Sequence, residues 1–446
     1  MENADQIIIC CPLVTPRITY TANFIFSHAG TGCRFISESD IQNINGMLVI
    51  NYNRVPRKGM FNIFSSGLLE EKGLHHVRPN VVKTEGLPSL FPAPEGFNLT
   101  FDIFSAIFYL ISRYEEYQPF NPDQFGRFEA SQSLLYRHQM LEVPLVDQWM
   151  LLLFNLLVKK YPYLRFASWQ FSFQSTIDID NPWAYQHKGY LRTCGGIIKA
   201  LLKGNRYGLQ NRLAVLTGHA KDPYDSYDII HAIEKRYDFQ SVFFFLLGDY
   251  GGPDSNYSLH TPHFRKLIGA ISKKNDSGIH PSFRSNNNPA LLEREFKLFR
   301  ELCGKTAIRS RQHFLVQHFP DTFRNLIKMG IMHDYSMGYA SHTGFRAGTT
   351  KPFRFYDLTT EQETGLVMHP FVVMDVTLQQ HLGLAPEEAL KKIQSLVEKI
   401  KAVNGTFTSL WHNESIADQG IWKGWRRVYE KMIITLSKNG AVPAKQ

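Results

Sequence analysis

The sequence predicts an α/β protein in which a small N-terminal unit precedes one large parallel sheet, open or closed into a barrel. Three observations predict it. From residue 171 to residue 411, short apolar runs alternate with helical patterns, as repeated strand–helix units do. Before residue 165, short strands are mixed with two strongly apolar helical stretches. The composition, 43% hydrophobic and 20% charged over 446 residues, is ample for a full core and excludes a disordered chain.

The elements follow in order. Ile7 to Val14 is a short apolar run containing Pro12 and two cysteines, preceded by acids where a secretory signal needs basic residues. It reads as the first strand of a domain. Leu48-Val49-Ile50-Asn51-Tyr52 reads as another strand, and residues 82–97, with three prolines and several turn formers, read as a loop. Asn98 precedes a helical pattern through Phe101, Ile103, Phe104, Ile107, Phe108, Leu110 and Ile111, ending in Arg113-Tyr114-Glu115-Glu116-Tyr117. A second helix runs from Val143 to Lys160, and Pro162 closes it. Further strands are expected at 171–179, 241–247, 277–280, 307–309, 331–333, 366–374 and 406–411. Helices fit at 227–236, 263–273, 289–303, 321–329 and 386–403. The division this implies is an N-terminal α/β domain, 1–165, and a larger domain, 166–446.

Composition narrows the function classes. Lys and Arg number 49 against 40 acids, a formal charge of +9 that favours anionic partners. There is no basic run, helix-turn-helix signature or zinc finger to support specific nucleic-acid binding. The five cysteines include the adjacent Cys10-Cys11 and no Cys-x-x-Cys, so neither a disulfide framework nor a thiolate zinc site is supported. No stretch is long enough to be a membrane-spanning helix, and a cytoplasmic protein with at most peripheral membrane contact is expected. Gly251-Gly252-Pro253 lacks the Gly-Lys-Ser/Thr of a phosphate loop.

Polar residues at strand C-terminal ends are the first candidates for chemistry in such folds. Asp178 and Asp180 lie two apart on one strand and share a face, where two carboxylates repel unless a cation lies between them or one keeps a proton. His280 ends the strand before Pro281-Ser282, and His412 ends the last strand. Each alone is as well explained as a cap or a hydrogen-bonded core residue; an acid pair and two histidines at strand ends together suit metal-assisted hydrolysis.

The order Thr-x-Asp-x-Asp, Gly-Ile-His-Pro-Ser, Arg-x-x-x-His, a strand ending in Asp334, and Leu-x-His resembles the polysaccharide deacetylase superfamily, carbohydrate esterase family 4. The motifs Asp334-Tyr335-Ser336-Met337-Gly338-Tyr339, Gly344-Phe345-Arg346-Ala347-Gly348-Thr349 and Trp411-His412-Asn413-Glu414-Ser415 resemble a branch common in Bacteroidetes that carries an N-terminal companion domain. The resemblance implies a distorted (β/α) barrel and a hydrolase that removes an acetyl group, usually N-linked, from a carbohydrate. It implies a divalent metal, usually zinc, with Asp178 as base, Asp180 and His280 as ligands and His412 as acid. Arg309 or Arg311 fits the arginine that orients the base, Arg309 being taken first. Asp334, Arg346 and Trp411 are assigned to substrate binding, each with a structural alternative in a cap, a turn or the core. The expected substrate is a cell-envelope glycan or its cytoplasmic precursor, lipid- or nucleotide-linked.

The chain departs from the family pattern in two places. Arg284 stands where the second metal-binding His is usual, and a cation cannot ligate zinc. His313 is then the candidate third ligand, with Ser285 or Asn286 as alternatives. Ile179 separates the two aspartates, and Ile177 replaces a His of the closer branch. These departures motivate the rival expectation, a non-catalytic glycan-binding or scaffold protein that keeps the barrel.

Overall fold

The computed structural model describes residues 7–43, 48–84, 86–254 and 261–444. The N-terminal sheet holds four parallel strands, β1 (Ile7–Cys10), β2 (Cys33–Ile36), β3 (Val49–Asn53) and β4 (Phe61–Phe64), in the order β2-β1-β3-β4. Strand β1 is covered on both faces, as parallel strands are. Ile7 and Ile9 enter the main core, while Ile8 and Cys10 pack with Ile36 and Val49 on the other side. The segment expected to be a loop contains instead a hairpin, β5 (Val81–Thr84) with β6 (Leu87–Leu90). Gly86, at φ +81°, makes the turn, and Pro88 is tolerated because a two-stranded ribbon consists only of edges.

The predicted apolar helix runs over Ile103–Ile111 and is buried along its whole length. Asp102 caps it, its carboxylate accepting from the Ser105 N–H at 3.0 Å. Arg113, in the left-handed region at φ 54°, stops it, and a short turn of helix, Tyr114–Tyr117, follows. The second helix spans Leu145–Lys160.

The large sheet is built from β7 (Ser172–Ile179), β8 (Val242–Leu246), β9 (Ser277–His280), β10 (Arg309–Ser310), β11 (His333–Asp334), β12 (Phe353–Asp357), β13 (Gln362–Met368), β14 (Val373–Met374), β15 (Thr406–His412) and β16 (Val442–Pro443). Its order is β12-β13-β11-β10-β9-β8-β7-β15-β14, with β16 paired to the lower half of β7. All of its ladders are parallel except β12 with β13. The single strand expected at 366–374 is split, because His369-Pro370 interrupts it and proline has no N–H to donate.

The ladder path is linear, yet the sheet is strongly curled. The His369 N–H donates to Asp334 O on the β11 side, and the Phe371 N–H to Met337 O. The next N–H, of Val372, donates to Thr408 O on β15. Four residues therefore cross between strands that a flat sheet would hold about seven strand spacings, roughly 34 Å, apart. The result is a curled, mixed sheet of strand–helix units beside a smaller N-terminal α/β region. Buried apolar residues of both parts form one continuous cluster, from Ile7 to Ala441.

Candidate metal-dependent active site

Parallel strands in register carry their C-terminal residues to one end of the sheet. There β7, β9, β15 and the segment after β10 bring Asp178, Asp180, His280, His313 and His412 together. His280 Nε2 lies 3.3 Å from Asp180 Oδ1 and 3.7 Å from Asp178 Oδ2. His313 Nε2 lies 3.4 Å from Asp180 Oδ2, and His412 Nε2 lies 3.8 Å from the same oxygen.

The partners behind each ring decide what its inner nitrogen can do. His280 Nδ1 lies 2.5 Å from Arg311 O, a carbonyl that only accepts, so Nδ1 carries the proton and Nε2 keeps its lone pair. His313 Nδ1 lies 2.8 Å from Asp254 Oδ1, and Asp254 is wholly buried. Two imidazole Nε2 atoms thus face one carboxylate, and Asp180 Oδ1 is buried without a hydrogen bond. Two lone pairs and a carboxylate converge stably only around a cation or a proton. The donor atoms of Asp180, His280 and His313 lie within 4.8 Å of one another, a carboxylate–imidazole set that fits a divalent metal.

Without a metal, a proton takes that place. Burial would lower the His313 imidazole, but Asp180 and Asp254 raise it to about 9. Burial would raise the Asp180 carboxyl, but His313 and His280 hold it well below the usual carboxylate range. On the far side, burial again opposes charge at His412, and Asp375, Asp180 and Asp178 raise it to about 10. Asp375, fully buried at the end of β14, holds His412 Nδ1 at 2.8 Å and accepts from the His412 N–H at 2.8 Å. Its other partners include the Ser415 hydroxyl. Glu414 is raised to about 7 by burial and then by Asp180, and it accepts from Asn181 Nδ2 at 2.9 Å.

Asp178 is buried and bound by the arginine two residues beyond the one taken first. Arg311 Nη1 donates to Asp178 Oδ1 at 3.0 Å and to Thr176 Oγ1 at 2.7 Å, and its guanidinium lies 4.8 Å from the centre of the Phe244 ring. Arg309 reaches the opposite way, to Asp276 at 2.5 Å. With His333, Tyr335 and His369 it lines a cavity of about 400 Å³. Arg309 and Arg311 are two positions apart, one toward each end of the sheet.

The three substrate assignments lie elsewhere too. Asp334 is fully buried and organises a turn, accepting from Ser310 Oγ at 2.8 Å and from the Ser336 N–H at 2.9 Å. Arg346 is buried in a two-pronged pair with Glu116 of the N-terminal region, at 2.9 and 2.5 Å, and donates to Gly338 O at 3.0 Å. Trp411 is fully buried against Trp425 and Tyr429. The Gly344–Thr349 motif serves the same packing: a Cβ on Gly344 would meet Leu141 O at 2.4 Å. Arg284 is exposed, and its backbone N–H donates to Asp254 Oδ2 at 3.3 Å. Ser285 and Asn286 are engaged with Glu295 and with Gln312 and Val316.

Asp254 and Asp375 were not read from the sequence. Asp375 follows the apolar run Val372-Val373-Met374, a strand-end signal like that of Asp178. Asp254 follows Gly251-Gly252-Pro253 in a loop and gives no such signal.

Residues 7–162 match a family model described as a family of unknown function, DUF7033. No curated protein matches the chain. Among solved structures, similarity extends to a candidate polysaccharide deacetylase of Mycobacterium smegmatis, 12% identical over 62% of this chain and 88% of that one, TM-score 0.41. An allantoinase is 9% identical over 61% and 87%, TM-score 0.40. A polysaccharide deacetylase of Bacillus cereus is 10% identical over 62% and 93%, TM-score 0.30.

Proposed function

We propose that the chain is a metal-dependent hydrolase that removes an acetyl group, N-linked in preference to O-linked, from a carbohydrate. The observation that carries this is the convergence of His280 and His313 Nε2 on Asp180, between a buried Asp178–Arg311 pair and a His412–Asp375 pair. The sequence motifs supply the substrate class.

Asp180, His280 and His313 would hold the metal. A divalent cation bound there lowers the pKa of a water and polarises the acyl carbonyl. Asp178, held by the Arg311 guanidinium, takes the proton from the attacking water. His412, held protonated by Asp375, gives a proton to the departing nitrogen or oxygen. The side chains of Asp180 and His412 keep 20% and 14% of their surface exposed, so the site opens to substrate at this edge.

The test is acetate release from N-acetylated and O-acetylated oligosaccharides by metal-loaded protein. Asp178→Asn should lower turnover by about 10²–10⁴-fold. Full activity in both Asp178→Asn and His412→Ala would remove this mechanism.

A further inference from the structure

Directly after the active-site strand, the chain leaves the barrel as a hairpin of two helices, Tyr190–Leu202 and Arg206–Leu216. The first is apolar at 190, 191, 194, 197, 198, 201 and 202, the spacing of one continuous helical stripe. In a soluble protein such a stripe faces the core. Here the helix has no buried residue. Tyr190, Leu191, Ile198, Leu201 and Leu202 are exposed, Leu191 and Leu202 at 85% and 84%. Leu213 and Leu216 add exposed apolar surface from the second helix. Nothing among the described residues covers this face.

The charge is as one-sided as the hydropathy. Arg192, Lys199, Lys203, Arg206 and Arg212 lie on the hairpin, and between Asp180 and Asp222 there is no Asp or Glu. Arg192, Lys199 and Lys203 fall opposite the apolar stripe on a helical projection. Exposed leucines with a basic flank and no acid are the pattern of a helix lying in a bilayer interface, its apolar side among the acyl chains and its lysines and arginines near anionic headgroups.

The hairpin is tied to the active-site end of the sheet. Arg192 stacks 4.0 Å from the ring centre of Tyr250, in the loop that also supplies Asp254, and Arg212 lies 4.7 Å from that of Tyr185, five residues beyond Asp180.

We propose that the helical hairpin 190–216 docks the protein on an anionic membrane surface, with the mouth of the active site beside the headgroups. A lipid-linked glycan is then the substrate class that meets the site; that last step rests on the proposed deacetylase function, whereas the docking does not.

The test is co-sedimentation of the full chain with vesicles of phosphatidylcholine, with and without phosphatidylglycerol. Binding is expected only to the anionic vesicles, and it should weaken as salt is raised. Leu191→Ser/Leu202→Ser and, separately, Lys199→Glu/Lys203→Glu should each weaken it by about tenfold or more. Both pairs are exposed, and an unchanged circular dichroism spectrum would show that the fold survives. Asp178→Asn should bind like the parent protein, so docking and catalysis fail independently. Absence of binding to anionic vesicles, or equal binding by both double variants, overturns the proposal. So does a dimer, seen by light scattering, that Leu191→Ser/Leu202→Ser dissociates without any vesicle binding; the face would then belong to a second copy of the chain.

Discussion

At the scale of single residues, the site is decided less by its inner atoms than by what stands behind them. Asp254 meets His313 at the outer nitrogen, away from Asp180, yet it fixes that ring. Asp254→Ala should weaken metal affinity by about 10–100-fold while turnover at saturating metal stays near normal, a split that competition with a chromophoric chelator would show. Asp375 acts on His412 in the same way but on a proton. On the proposed mechanism His412 gives its proton only while charged, so activity should fall as pH rises past a pKa that Asp375 holds above the ordinary histidine value, against the opposing effect of burial. Asp375→Asn should move that fall toward the ordinary histidine range in the pH profile of kcat/KM. An unmoved alkaline limb would take His412 out of the acid role. Asp178, Asp180, His280 and His412 are legible in the sequence because strand ends and two-residue alternation can be read locally. The choice between Arg309 and Arg311 was not, since both lie on one short strand segment and only tertiary structure says which end each reaches. Asp334, Arg346 and Trp411 sit in distinctive motifs, and the structure gives those motifs to packing.

At the scale of elements, the loop between β11 and β12 joins the two sheets. Arg346 and Arg113 enclose Glu116, all three buried, and Arg113 also reaches Tyr339 at 3.2 Å. Arg346→Met leaves the buried Glu116 with Arg113 alone as its cation, so it should lower stability in chemical denaturation, by less than the roughly 3–5 kcal/mol of a fully unpaired buried charge. Burial would raise the Glu116 carboxyl, but Arg346 and Arg113 hold it below its ordinary value. A carboxyl depressed by folding adds stability above its unfolded pKa and loses it as pH falls through the folded one. Parent protein should therefore lose more stability than Glu116→Gln on acidification below about pH 4.5, and equal slopes would show that the cluster is not the cause. Elements with strong periodicity, such as the helices at 289–303 and 386–401, were legible to within two residues. Strand β12 and the hairpin 190–216 were not read. The former is short and antiparallel, against the rule of the sheet, and the latter carries a helical stripe but stands outside the strand–helix alternation of the sheet.

At the scale of the molecule, the sequence divides near residue 165, while the packing does not. Phe104 and Phe108 of the N-terminal region share one apolar cluster with Tyr356, Phe407 and Trp411 of the large-sheet region. Arg17 closes a further link across the boundary, pairing with Glu361 through two nitrogens at 2.9 and 2.5 Å. Elements that share a core lose it together, because exposing either half puts the other's apolar face in water. The whole chain should then unfold in one transition, with the same midpoint by circular dichroism and by tryptophan fluorescence, for which Trp149 and Trp411 report on the two halves. Residues 166–446 produced alone should expose the surface that covers the helix Ile103–Ile111, bind a hydrophobic dye and lack a sharp transition. A soluble fragment with its own cooperative melt, or two separated transitions in the parent, would instead make the N-terminal unit an independent domain. The buried Glu116–Arg346 pair would then be a docking contact between finished domains and not part of one fold.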